Sequence, residues 1–331
     1  MKWNVRIVVA VLISSCCPPA SAAKYVRVGS FNIANFGASE SGEYERSLVS
    51  LVNIVMQMDA DVIALQEIEP TAFGAEQMQR FMKLLNKAAG YYRKPLYEYV
   101  IAEEYTGDET TAFLWREPAT LESEIMLLEH EPDGDGDGLP TFQRVPHYAL
   151  FRAGNYDFYL VNCHLYTKVQ GDTSQGRGAE FAALAAWLKD LAAETEKDAV
   201  VVGDFNRFLN GKSAWKQLMI PGHEKWFRFA LLEGIANDVE GFDPSKDEAP
   251  SDVYSTTTAQ KNSIYDQIIV SQGSYAEFSR KPCFGVDVGI VAFDREAQFE
   301  WVTDQWYDAI KVLSDHRPAW IRLRIDQDDD D

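Results

Sequence analysis

Residues 198–206, DAVVVGDFN, constrain this chain most, because an unbroken apolar run that reads as a buried strand stops abruptly in Gly203, Asp204, Phe205 and Asn206. A run of valines tolerates no charge within it. The acid at its exit therefore either caps a turn or points into a site where its charge is used.

The same grammar recurs. SFNIANFG ends a strand at Asn32, DVIALQEIE ends one at Glu67, and FYLVNCHL ends one at His164; SIYDQIIV carries Asp266, and SDHRP supplies Asp315 and His316. Asn, Glu, Asp and His gathered along one sheet edge suit a hard divalent cation handling a phosphate. Such an ion takes oxygen ligands and keeps positions open for substrate.

These motifs, in this order over nearly the whole chain after residue 22, resemble the endonuclease/exonuclease/phosphatase superfamily, and most of all its pancreatic-type deoxyribonuclease branch. Weaker similarity at residues 97–100, 109–115, 142–146 and 265–270 carries the branch assignment. The resemblance implies a four-layer α/β sandwich, two facing mixed β-sheets flanked by helices, with the site at one edge. It assigns Glu67, Asn32 and Asp315 to Mg2+ or Mn2+. His316 oriented by Asp266 is the general base, with Asp204 the rival for that role. His164, held by Glu109 through a carboxylate–imidazole hydrogen bond, contacts the phosphoryl oxygens or protonates the leaving group, and Asn206 positions water or phosphate. Arg144 matches a phosphate-contacting arginine of the branch. Arg177, at a helix entrance, either meets a phosphate or is simply solvated. Two positions that hold arginine in the branch read Ala34 and Glu69 here, and the 103–109 loop, EEYTGDE, lacks the branch's basic contacts.

The amino end of the chain reads as a processing signal. Lys2 and Arg6 precede the short apolar run 7–13, and Ala20-Ser21-Ala22 offers a small-residue cleavage site, so residues 1–22 are expected to be an export signal and the product secreted or periplasmic. The alternative is a lipoprotein signal tethering the chain through Cys16. The apolar run is too short to span a bilayer. Residues 23–325 are expected to form a single domain, followed by an acidic tail at 326–331, and a monomer is the default expectation for such a hydrolase.

The formal net charge is −20. A nucleic acid substrate, DNA foremost, must then be drawn by local Arg or Lys and by bound cations rather than by a basic surface. Cys163 neighbours His164 on a strand and should point to the opposite face as a buried thiol, the alternative being a bridge to Cys283. The segment EPDGDGDGLP spaces Asp133, Asp135 and Asp137 by two, either as oxygen ligands for a structural Ca2+, which the branch often binds in this connection, or as a solvated turn.

Periodicity places helices at 43–58 and 75–89, the second stopping at Gly90 in a left-handed cap, and a third after the polar loop 167–177. Residues 97–102 and 111–115 are expected to pair as strands. Two short helix-like pieces are expected within 210–233, and an edge-like strand at 319–325.

The expected activity is hydrolysis of a phosphodiester by an activated water. Two alternatives remain, the same chemistry on a lipid or inositol phosphate headgroup and a non-catalytic calcium-stabilised binding protein.

Overall fold

The computed structural model describes residues 25–37, 47–104, 108–128, 142–166, 177–194, 197–206, 226–243, 250–257, 263–295 and 313–326. The expected export signal with Cys16, the Asp133–Asp135–Asp137 segment and residues 327–331 of the acidic tail lie outside them.

Thirteen strands in the described residues make two mixed sheets. One runs in the order β12 (Val288–Ile290), β13 (Ala319–Arg324), β1 (Tyr25–Phe36), β2 (Val62–Ile68), β4 (Thr110–Trp115) and β3 (Glu98–Ile101). The other runs β10 (Phe227–Phe229), β11 (Asp266–Ser271), β9 (Ala199–Asp204), β8 (Tyr156–His164), β7 (His147–Ala153) and β5 (Ala119–Leu121), with β6 (Met126–Leu127) also on β7. The parallel pairs are β1–β2 and β8–β9. The strands that end in Glu67, His164 and Asp204 therefore all point their carboxyl ends the same way in their own pairs.

Side-chain alternation builds the layers. On β2, Val62 and Ala64 face the other sheet, where they join Phe151, Phe158 and Leu160; Ile63 and Leu65 face outward onto α1 (Leu48–Met58) and α2 (Ala72–Tyr91). On the far side, α3 (Arg177–Leu191) buries Phe181 and Leu184, while α4 (Ala230–Asp238) packs Leu231 and Ile235 across β10 and β11 of the second sheet and β12 and β13 of the first. Each such side chain contributes about 2 kcal/mol by leaving water. The result is the expected sandwich of helices, sheet, sheet and helices.

A polar bridge crosses the apolar layer between the sheets. Gln66 Nε2 donates to Asn162 Oδ1 at 2.7 Å, and Asn162 Nδ2 donates to the carbonyl of Leu65 at 3.0 Å. Both amides are fully buried. Because a buried amide without a partner costs about 1–3 kcal/mol, this pairing selects one relative placement of β2 and β8 just behind Glu67 and His164.

Several local expectations change. Gly90 lies inside α2, which continues to Tyr91, and the left-handed residue beyond it is Arg93 at φ 56°; the Arg93 and Lys94 N–H groups close the helix end on the Gly90 and Ala89 carbonyls at 3.1 and 2.9 Å. Within the described part of 210–233, residues 227–229 form strand β10, held by β11, and a helix starts at Ala230. The 319–325 segment is not an edge, since β13 lies between β12 and β1. Cys163 is a free thiol buried in the core, so it is not bridged to Cys283, and burial pushes its pKa up.

Candidate active site

Strand register lines up the chemistry. Asp204 is the parallel partner of His164 and the antiparallel partner of Asp266, so three adjacent strands of the second sheet deliver these groups at one level. The first sheet faces them with Asn32 and Glu67, and the chain entering β13 adds Asp315 and His316.

Backbone strain gathers here. Ala34, Asn35, Glu67 and Asn206 all adopt positive φ between 46° and 59°, a region L-residues avoid. Each deviation re-aims a polar group. The Asn35 N–H donates to Glu67 Oε2 at 2.9 Å, and the Ala34 N–H donates to Asn32 Oδ1 at 2.9 Å. Asn32 Nδ2 in turn donates to Glu67 Oε1 at 2.8 Å and Asp204 Oδ2 at 3.2 Å. The Asn32 amide thus fixes the two carboxylates from opposite sheets relative to each other.

Asp204 is the centre of the set. Its Oδ1 accepts the Asn206 N–H at 2.7 Å, while its Oδ2 lies 3.3 Å from His316 Nε2 and 3.6 Å from His164 Nε2. Behind each imidazole stands a carboxylate. His316 Nδ1 meets Asp266 Oδ2 at 2.9 Å, and His164 Nδ1 meets Glu109 Oε1. Asn206 Nδ2 donates to the Leu165 carbonyl at 2.8 Å, which fixes its amide. Arg144 brings Nε to 3.3 Å from Glu109 Oε2.

Electrostatics follow from this geometry. Burial works to lower the pKa of both histidines, but Asp266, Asp204 and Asp315 outweigh it at His316, raising it well above the ordinary value. At His164 the Glu109 hydrogen bond and the charge of Asp204 likewise win, and its pKa is raised. Burial pushes Asp266 up to about 6 against the pull of His316. Burial would raise Asp204 too, yet His316, His164, the Asn206 N–H and the Asn32 amide bring it below the ordinary carboxylate value. The two imidazoles and the amides around Asp204 thus favour its ionised form.

The cleft above these groups has a volume of about 300 Å³. Its walls carry six carboxylates, those of Glu67, Glu69, Asp108, Glu109, Asp204 and Asp315, against one guanidinium, Arg144, and the two imidazoles. Glu69 has a raised pKa, from partial burial and from the charges of Asp108, Glu109 and Glu67. This surplus of hard oxygen ligands fits a divalent cation. Glu67, Glu109 and His164 bring ligand atoms within 4.8 Å of one another. Within that cluster Glu109 is already engaged by His164 and Arg144, and Glu67 and Asp315 line the cleft beside it.

Of the groups singled out in the sequence, Asn32, Glu67, Glu109, Arg144, His164, Asp204, Asn206, Asp266, Asp315 and His316 come together. Arg177 opens α3, but its side chain lies outside the described part. Sequence reasoning missed the Asn35 N–H, whose only signal was an Asn followed by Phe-Gly, and the supports behind His316. Ser314 Oγ donates to the Asn32 carbonyl at 2.7 Å and accepts the His316 N–H at 3.0 Å. Fully buried Arg317 joins Asp294 at 2.6 and 2.7 Å and Asp252 at 3.0 Å.

Two facing mixed sheets with acids and imidazoles along one strand edge define a metal-binding hydrolase of the α/β sandwich class. A family model described as the Endonuclease/Exonuclease/phosphatase family matches residues 29–316, and the chain belongs to that family, whose members include metal-dependent nucleases and phosphatases. A protein of Bos taurus, the endonuclease/exonuclease/phosphatase family domain-containing protein 1, is 30% identical over 99 residues, spanning 29% of this chain and 17% of that protein. Truncated TDP2 of Caenorhabditis elegans superposes with a TM-score of 0.52 at 15% identity, covering 91% of this chain and 98% of its own. A family protein from Bacteroides thetaiotaomicron gives 0.54 at 15% identity, covering 93% and 97%. Likeness at this identity speaks for the fold. The match is to the family as a whole, and the branch within it is part of the proposal below.

Proposed function

We propose that this protein is an exported, divalent-metal-dependent phosphodiesterase of the deoxyribonuclease-like kind that hydrolyses DNA by in-line attack of water. The observation that carries the reading is Asp204 Oδ2 shared between two imidazoles, each backed by its own carboxylate, beside the Glu67 face of the cleft. Glu67 and Asp315 would hold Mg2+ or Mn2+, which when bound would polarise the phosphate as a Lewis acid and offset its charge. Asn32 aligns Glu67 with Asp204. His316, oriented by Asp266, takes the proton of the attacking water at Nε2, and the lowered pKa of Asp204 supports the imidazole over that carboxylate as the base. His164, whose pKa the Glu109 hydrogen bond raises, donates from Nε2 to a phosphoryl or leaving oxygen. Asn206 and Arg144 orient the phosphate.

Nicking of supercoiled plasmid by the purified protein with Mg2+ tests this. Relaxation that EDTA abolishes is expected. A folded protein that leaves plasmid intact at every divalent ion tried removes the duplex-DNA reading.

One observation favours a second substrate. Glu69 and Asp108 make the cleft rim acidic where a polyanionic duplex would want cations, which suits a phosphodiester on a small or lipid headgroup. Among the described residues no helix is long and apolar enough to cross a membrane. If DNA is the substrate, Glu69→Arg should lower its KM about 3- to 10-fold and steepen the salt dependence by about one unit in the log–log slope. An unchanged KM for DNA would show that the acidic rim does not oppose the duplex.

A further inference from the structure

Glu180, in the first turn of α3, is an acid with no place in the chemistry above. It is 1% exposed, and no arginine, lysine or histidine lies within ion-pair distance of it among the described residues. An acid in a first helical turn usually faces solvent and favours its own helix dipole. Glu180 instead spends both oxygens on other segments. Oε1 accepts the Gln143 N–H at 3.0 Å, and Oε2 accepts the Tyr166 N–H at 2.7 Å.

Those two amides belong to the segments that carry the phosphate-facing groups. Gln143 immediately precedes Arg144. Tyr166 follows Leu165, whose carbonyl fixes the Asn206 amide and whose own N–H donates to the Asp204 carbonyl at 2.8 Å, and it lies two residues beyond His164. A buried carboxylate is costly to desolvate, and an apolar residue would fill the space more cheaply. Burial indeed raises the Glu180 pKa, while the two N–H donors and the charges of Arg144 and His164 draw it back. A glutamine is no substitute, because its amide offers one acceptor oxygen and turns an NH2 against the second N–H.

We infer that Glu180 is a positioning residue, a buried clamp that sets Arg144 against His164 and Asn206 so that the three meet one phosphate. The inference rests on the phosphodiesterase reading for its kinetic consequence but not for its structural one. With Mg2+ and bis(p-nitrophenyl) phosphate, E180Q is expected to lower kcat/KM on the order of 10- to 100-fold at temperatures well below its Tm, the cost of misplaced groups near a reacting centre. In an Arg144→Ala background the same change should cost clearly less, since part of what Glu180 positions is gone. A purely structural acid would lower Tm and leave kcat/KM within twofold, and that result overturns the inference; so does full additivity with Arg144→Ala.

Two further readings keep the outcomes apart. In the unaltered protein the Gln143 and Tyr166 amides should be protected from hydrogen exchange, and rapid exchange at both overturns the clamp even if E180Q fails to fold. If the unaltered protein hydrolyses no phosphodiester, the functional reading falls on its own, and inorganic phosphate with Mg2+ becomes the probe. E180Q should then weaken phosphate binding about tenfold if the three groups converge on it; unchanged affinity overturns the inference.

Discussion

His316→Ala is expected to lower metal-dependent phosphodiester hydrolysis by about 10²- to 10⁴-fold while leaving circular dichroism unchanged, the usual span for removing a positioned general base. Its Nε2 faces the cleft beside Asp204 while its Nδ1 is held by Asp266, so the ring is fixed in tautomer and direction before substrate arrives. The pH profile checks the role. The charges of Asp266, Asp204 and Asp315 raise the imidazole pKa well above its ordinary value, so the neutral, proton-accepting form grows as pH rises and the rate should climb on the alkaline side of neutrality. Asp266→Asn removes the strongest of those raising charges. The His316 pKa must then fall, and the acid limb of the profile should move to lower pH even as the maximum rate drops through a mis-set ring. An acid limb that stays put in Asp266→Asn, with His316→Ala near full activity, would assign the base elsewhere, Asp204 first.

What the sequence reveals of this molecule depends on how local the signal is. Glu67, His164 and Asp204 each terminate an apolar run, and a charge at such a place is visible without knowing the partner strands. That they meet follows only from pairing, because His164 and Asp204 are 40 positions apart yet lie opposite each other in a parallel register. The order of motifs along the chain supplied that step by resemblance. Short strands left no trace: β12 and β10 are three residues each, too few for alternation, and missing β12 is what made β13 look like an edge. Gly90 read as a stop because glycine commonly ends helices, but the stop is set by the strained Arg93 beyond it. Glu180, Gln66 and Asn162 were silent for a different reason. Polar residues at the start of a helix or inside a strand are ordinary, and only their burial and their distant partners show what they hold.

Among the described glycines Gly203→Ala should be the most damaging change, costing roughly 3 kcal/mol or more, a large fraction of the stability of a typical domain. Gly203 takes φ 143°, and a Cβ built on it would stand 1.8 Å from the carbonyl oxygen of Cys163 and 2.7 Å from that carbonyl carbon. Both contacts are backbone, so no rotamer change relieves them. The strand pair would have to separate where it is most needed, since Cys163 and Gly203 are register partners one step before His164 and Asp204. Any relaxation that admits the methyl group therefore moves the His164–Asp204 pair apart, and with it the Asn206 N–H that holds Asp204. Urea denaturation and yield of soluble protein measure the first effect; phosphodiester hydrolysis by whatever folded fraction remains measures the second. Stability within 1 kcal/mol of the unaltered chain would mean that β8 and β9 do not approach this closely at Gly203. The glycine that makes the valine run end so abruptly is thus the residue that lets a carboxylate leave one strand directly beside the imidazole leaving the next.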